Sequence, residues 1–114
     1  MPMNSPAPDH VFRRLALDLP LAEEKSHFGK ADFRLRNKIF AGFTADGLAY
    51  VKLTPAQQAM ICAAEPAVSP IKGGWGRQGW TQIEQARADP ALLQNLLQTA
   101  WRNVAPKSLQ KAAG

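Results

Sequence analysis

With 114 residues, 46% of them hydrophobic and 20% charged, the chain has the composition of one folded domain rather than of a disordered or membrane-spanning polypeptide. No uninterrupted apolar run approaches the roughly 18 residues that a spanning helix needs, and Met1–His10 lacks the charged-then-apolar pattern of a secretory signal, so a cytoplasmic protein is expected. Fourteen basic residues against nine acidic ones give a net charge of +5, which favours anionic partners, while the single cysteine, Cys62, excludes an internal disulfide or a cysteine metal cluster.

Met1–Pro8 carries prolines at positions 2, 6 and 8 and reads as a flexible leader, leaving residues 9–114 as the folded domain. From Asp9, an N-cap residue type, Val11, Phe12, Leu15, Ala16 and Leu19 recur at helical spacing and predict an amphipathic helix that Pro20 closes. Leu21–Lys30 mixes charges around Gly29 and suits a loop entering a short strand near Ser26–Phe28. Asp32–Arg36 alternates apolar and charged residues with period two, and Lys38–Phe43 follows across Arg36-Asn37, where Asn37 tolerates the left-handed conformation of a tight hairpin turn. Thr44–Gly47 signals another turn and Leu48–Leu53 another strand. These segments predict an antiparallel meander.

Thr54-Pro55 starts a helix, with Thr54 as N-cap and Pro55 at the first helical position, running to Ala64 and stopping before Pro66. Its apolar run Ala59–Ala64 contains Cys62, read as a buried structural thiol. Val68-Ser69-Pro70 reads as punctuation. Lys72–Trp80 then gathers four glycines, two tryptophans and two cations in nine residues. Glycine adds no packing area, so this density suits positive φ or the close approach of a partner, and Trp and Arg are enriched where proteins grip other molecules. Trp80–Ile83 reads as a final strand. Asp89-Pro90 repeats the cap-then-proline device, and Leu92, Leu93, Leu96, Leu97, Ala100, Trp101 and Val104 form the apolar stripe of the longest helix. A short tail helix after Pro106, with Lys107 and Lys111, is expected to finish the chain. Strands segregated between helices define an α+β sandwich, with helices on one sheet face and the other face toward solvent.

Glu23-Glu24, His27–Arg34, Lys38–Ala41, Gly74–Arg77 with Gly79-Trp80, and Trp101–Lys107 together resemble the MmcQ/YjbR family of small bacterial proteins, in order and spacing, over nearly all of Asp9–Lys107. The resemblance implies a CyaY-like (frataxin-like) α+β fold and a DNA-binding role. The chain departs from the family pattern at Ala31, where proline would stand, which predicts a less rigid loop before Phe33.

Several functional readings follow from the residues. In the first, the outward alternates of the meander carry Arg34, Arg36 and Lys38 to one face, the glycine-rich loop adds Lys72 and Arg77, and Trp75 stacks on a base or lies along a sugar, the partner being DNA or another polyanion. No helix-turn-helix, zinc-finger or RNA-binding signature accompanies these charges, so sequence-specific readout is not expected. In the second, the glycine-rich loop cradles a small anion, with Arg77 as a bidentate fork, or holds a peptide; it is not a phosphate-binding Walker loop, because no Gly-Lys-Ser/Thr ending follows. An enzyme would have to use His27 beside Glu23 and Glu24, or His10, and the chain has no nucleophile elbow and no paired histidines at metal-ligand spacing. A protein adaptor would need an apolar patch built on Trp75 and Phe28. Iron handling, which the frataxin-like fold raises, would need clustered carboxylates, whereas Asp9 and Asp18 share the first helix with Arg13 and Arg14. The expectation is a non-catalytic binding module without metal, cofactor or membrane attachment.

Overall fold

The computed structural model describes residues 8–27 and 29–109. The expected leader, Phe28 and Lys111 lie outside these residues, except for Pro8. Helix α1 spans Pro8–Leu17. Pro8 opens it, as suits a residue with no N–H to satisfy, so Asp9 stands inside the first turn rather than at the N-cap. There its carboxylate accepts a 2.8 Å hydrogen bond from Gln85 Nε2.

Six strands follow: β1 (Glu23–His27), β2 (Lys30–Leu35), β3 (Lys38–Phe43), β4 (Ala49–Lys52), β5 (Val68–Pro70) and β6 (Trp80–Ile83). They form one sheet in the order β1-β2-β3-β4-β6-β5, with every neighbouring pair antiparallel. The meander is therefore real through β4, after which β6 slots between β4 and the edge strand β5. Val68–Pro70, expected only as punctuation, is that edge; a three-residue strand ending in proline is a form edges commonly take. Ala31 lies within β2, paired with Ser26, so the position where a proline would stand is in a strand and not in the loop.

The β2–β3 hairpin turns at Arg36 (φ 49°) and Asn37 (φ 70°), both left-handed, as a two-residue turn of matching twist requires. Between Phe33 and Arg34 the register shifts: Phe33 faces Ala41 and Arg34 faces Ile39, so β3 contributes one extra residue, Phe40. This bulge lets Phe40 and Ala41 both be buried while Ile39 turns to the opposite face.

Helix α2 (Pro55–Ala64) begins with the expected cap: Gln57 N donates to Thr54 Oγ1, and Gln57 Oε1 accepts from Thr54 N, a reciprocal capping box. Helix α4 (Pro90–Val104) is capped by Asp89, whose carboxylate accepts from Leu92 N at 2.8 Å. Its buried Leu93, Leu96, Leu97, Ala100 and Trp101 pack on β3, β4 and α1, so α1 and α4 cover one sheet face. Phe12, Phe33 and Phe43 meet edge-to-face in the core between them, with centroids 5.5–6.2 Å apart. The buried Trp101 indole is satisfied by donating to Pro20 O at 3.0 Å. Cys62 is only half-buried, at the periphery of this core, and burial pushes its thiol pKa up. The run around it is largely outward: Met60 is 77% exposed, and the buried residue of α2 is Gln58. Residues 107–109 are helical, as the tail helix requires.

Candidate nucleic-acid interface

Side chains alternate across a strand, so the register divides the sheet into two faces. Phe33, Ala41, Val51 and Thr81 form a row toward the helices. The adjacent row, Asp32, Gly42, Tyr50, Gln82 and Ser69, points the other way, joined by the pairs Arg34–Ile39 and Lys52–Trp80. On this second face Gly42 leaves room for the Tyr50 ring to lie across it. Trp80 meets Tyr50 at a centroid distance of 5.5 Å and an interplanar angle of 73°, and Trp75 meets Trp80 at 6.1 Å and 73°. Ile39 and Ile71 complete an apolar groove of about 290 Å³.

Trp75 reaches the groove from α3 (Gly74–Arg77), a single helical turn where an open loop was expected. The glycines around it have internal causes. A Cβ on Gly76 would stand 1.7 Å from Ile71 O, and one on Gly79 would stand 1.8 Å from Leu53 O, at a φ of +106°. The chain crosses itself closely there, with Leu53 N donating to Gly79 O and Ile71 N donating to Trp80 O, both at 3.0 Å. Gln58 locks the crossing from below: its Nε2 lies within 3.0–3.1 Å of Gly76 O, Trp80 O and Thr81 Oγ1.

The charges beside the groove are partly committed. Arg34 grips buried Asp32 with two hydrogen bonds, Nε to Oδ1 at 2.7 Å and Nη2 to Oδ2 at 3.2 Å, and its Nη1 donates to Asn37 Oδ1. The hydrogen bond to Asp32 raises the Arg34 pKa further above its ordinary value. Lys52 Nζ donates to Gln78 O at 2.6 Å and sits 5.4 Å from the Trp80 centroid, a cation–π contact. Burial, reinforced by Asp32 and partly opposed by Arg34, pushes the Tyr50 phenol up to about 12.

Of the residues expected to act together, the structure brings some to this face and not others. Trp75 is there and is 64% exposed. Arg34 is there, but as half of an ion pair. Lys72 is exposed and directly follows groove residue Ile71. Arg36 is exposed in the hairpin turn at the end of the sheet. Lys38 pairs with Leu35, a core residue, so its register position belongs to the helix-covered face. Arg77 follows Trp75 by two residues, a spacing that points side chains to different sides of a helix. Tyr50, Lys52, Ile39 and Ile71 were missed. The signals were present: the alternation of Leu48–Leu53 sets Tyr50 and Lys52 opposite Val51, and a glycine inside a strand pattern, as at Gly42, marks a close approach.

The imagined acid–base pairing near His27 loses one member, because Glu24 is engaged from α1 by Arg13 Nε at 3.1 Å to each oxygen. Among the described residues, no three His, Cys, Asp or Glu side chains gather as a metal site would require. No helix among them is long and apolar enough to cross a membrane. A second groove, of about 320 Å³, runs between α2 and α4 beside Met60, Ile61 and Leu96, and no charged side chain lines it.

Fold and face together define an α+β protein with one antiparallel sheet, backed by helices on one side and carrying an aromatic groove on the other. The chain belongs to the YjbR family, whose model matches residues 17–103. It is similar in structure to Deinococcus radiodurans protein DR2400, a DUF419 protein, with a TM-score of 0.68 and 20% identity over 89% of this chain and 80% of that one. At that identity the likeness is one of fold. None of the curated proteins matches the chain.

Proposed function

We propose that the protein is a non-catalytic DNA-binding module that uses the open sheet face. The observation that carries this reading is the exposed indole of Trp75, set edge-to-face against Trp80, whose ring Lys52 covers, on a chain of net charge +5. Cations supply sequence-independent attraction to phosphate, and an aromatic platform adds contact to sugar or base. The Arg34–Asp32 pair takes one cation out of this balance, and Lys38 and Arg77 lean elsewhere, which leaves Lys52 and Lys72 as the phosphate contacts nearest the groove. A cytoplasmic location is part of this proposal and fits a chain with one unpaired cysteine.

Titration of labelled DNA at rising salt tests the reading. Two phosphate contacts give a log–log slope of about −1.8 on duplex or −1.4 on a single strand, and Lys72→Ala reduces its magnitude by roughly one contact. Absence of binding at low ionic strength refutes the proposal.

A further inference from the structure

The shape of the groove suits an unpaired base better than a duplex. It is lined by the rings of Tyr50, Trp75 and Trp80 with Ile39 and Ile71, and its volume of about 290 Å³ is at the small end of ligand pockets, large enough for one planar group. In a duplex both faces of every base are covered by neighbouring bases, so an indole has nothing to stack on unless a base is extruded. A single strand presents its ring faces freely, and stacking on an aromatic side chain needs no particular base identity. The geometry of Trp75 fits that use: a T-shaped contact with Trp80 engages only part of its indole, and 64% of the residue remains exposed.

The rim argues for a nucleic-acid base over an apolar side chain of a peptide. Lys52 is held by Gln78 O and by the Trp80 ring at the groove itself, and Lys72 is exposed next in sequence to the lining residue Ile71. A base arrives with a charged phosphate attached on each side for these two lysines, whereas an apolar peptide segment offers them only neutral carbonyls. The groove between α2 and α4 supplies the contrast, since it is of similar volume and no charge stands in its wall.

From this we infer that the preferred ligand is single-stranded DNA, with one unpaired base seated on Trp75 in the groove and its flanking phosphates toward Lys52 and Lys72. The inference rests on the DNA-binding reading above and narrows it to one form of DNA. It predicts weak dependence on sequence, because every base has a π-face and the groove lining is apolar.

The test is fluorescence anisotropy at low salt with the full chain, comparing a labelled single strand with its own blunt duplex and adding an unlabelled apolar peptide as competitor. Single-stranded DNA is expected to bind about 10-fold tighter than the duplex. Trp75→Ala is expected to weaken the single strand about 10-fold and the duplex little, with Trp75→Phe retaining most of the affinity. Trp75 is exposed, so these variants keep the fold, which a thermal melt checks. A duplex bound as tightly as the single strand, or a Trp75→Ala variant with unchanged single-strand affinity, overturns the inference while leaving the DNA reading standing. Displacement of the strand by the peptide at equal concentration overturns it in favour of a peptide groove. No binding to either DNA form removes both.

Discussion

Tyr50 lies over Gly42: a Cβ built on Gly42 would be 2.5 Å from the Tyr50 hydroxyl oxygen and 2.6 Å from Cζ. The cross-strand partner of Tyr50 thus has no side chain, and the phenol occupies the space that one would fill. This vacancy lets the ring lie flat enough on the sheet to floor the groove and to receive the edge contact with Trp80.

Gly42→Ala should therefore evict the ring without unfolding the protein. The atoms in the way belong to the far end of a side chain, which can rotate out, so the expected loss is about 1–3 kcal/mol, as for other overpacked sites. The floor of the groove would go with it. Urea unfolding measures the first effect, and a red-shifted tryptophan emission from a wetter Trp80 reports the second; an unchanged spectrum would mean the ring had not moved.

The glycines of Lys72–Trp80 should separate into two kinds. Gly79→Ala places a methyl 1.8 Å from Leu53 O, a backbone atom that cannot swing aside, at a φ of +106°. Gly73→Ala meets open space and carries only the strain of its φ of +83°. Gly73→Ala should cost about 1–3 kcal/mol, because φ +83° with ψ −156° is a backbone region essentially reserved for glycine. Gly79→Ala, with the same kind of strain plus a backbone clash, should lower stability by more than about 3 kcal/mol or abolish folding. Thermal denaturation of the two variants side by side decides this, and equal melting temperatures would contradict the crossing.

That contrast also bears on what could be read in advance. Capping and turn chemistry was legible because its causes are local: Thr54 with Gln57, Asp89 with Leu92, and Arg36-Asn37 each act within a few residues. The glycine-rich stretch was recognised as special, but its cause is the passage of Ile71 and Leu53, and nothing in Lys72–Trp80 announces a partner as far upstream as Leu53. The cationic hairpin face failed for a related reason. Period-two alternation carries Arg34 and Lys38 the same way, but the two-residue turn at Arg36-Asn37 pairs Lys38 with Leu35 and so sets it on the opposite face, and Asp32 neutralises Arg34 from two residues away on the same face. The aromatic groove is assembled from β3, β4, β6 and α3, so it existed only in the register.

Gln58 is the polar key of the crossing and should be the most costly residue of α2 to alter. It is 8% exposed, and its amide nitrogen serves the carbonyls of Gly76 and Trp80 and the hydroxyl of Thr81. Gln58→Leu has nearly the same size but removes these hydrogen bonds, leaving Gly76 O and Trp80 O with Gly79 N and Ile71 N as donors, at about 1–3 kcal/mol in all. The exposed neighbour change Met60→Gln should stay within about 0.5 kcal/mol. Hydrogen exchange at Ile71 N, whose acceptor is Trp80 O, should accelerate in Gln58→Leu and not in Met60→Gln.

Tyr50 is the chain's single tyrosine, so its ionisation can be followed directly by ultraviolet absorbance. An unperturbed phenol titrates near 10, whereas burial, with Asp32 adding to it, holds Tyr50 at about 12. Below pH 10 the folded and unfolded chains both keep the proton, and the group adds no pH dependence. Between about 10 and 12 the unfolded chain loses its proton first, so the stability associated with Tyr50 is lost as pH rises through that window. Lysines titrate in the same range, so the measurement is the difference between the wild-type protein and Tyr50→Phe, in urea midpoint against pH. The wild type should fall faster than Tyr50→Phe above pH 10, and Gly42→Ala, with the ring evicted, should show a phenol returned toward 10. A wild-type tyrosine that ionises at 10 would place the ring in water and remove the floor from the groove.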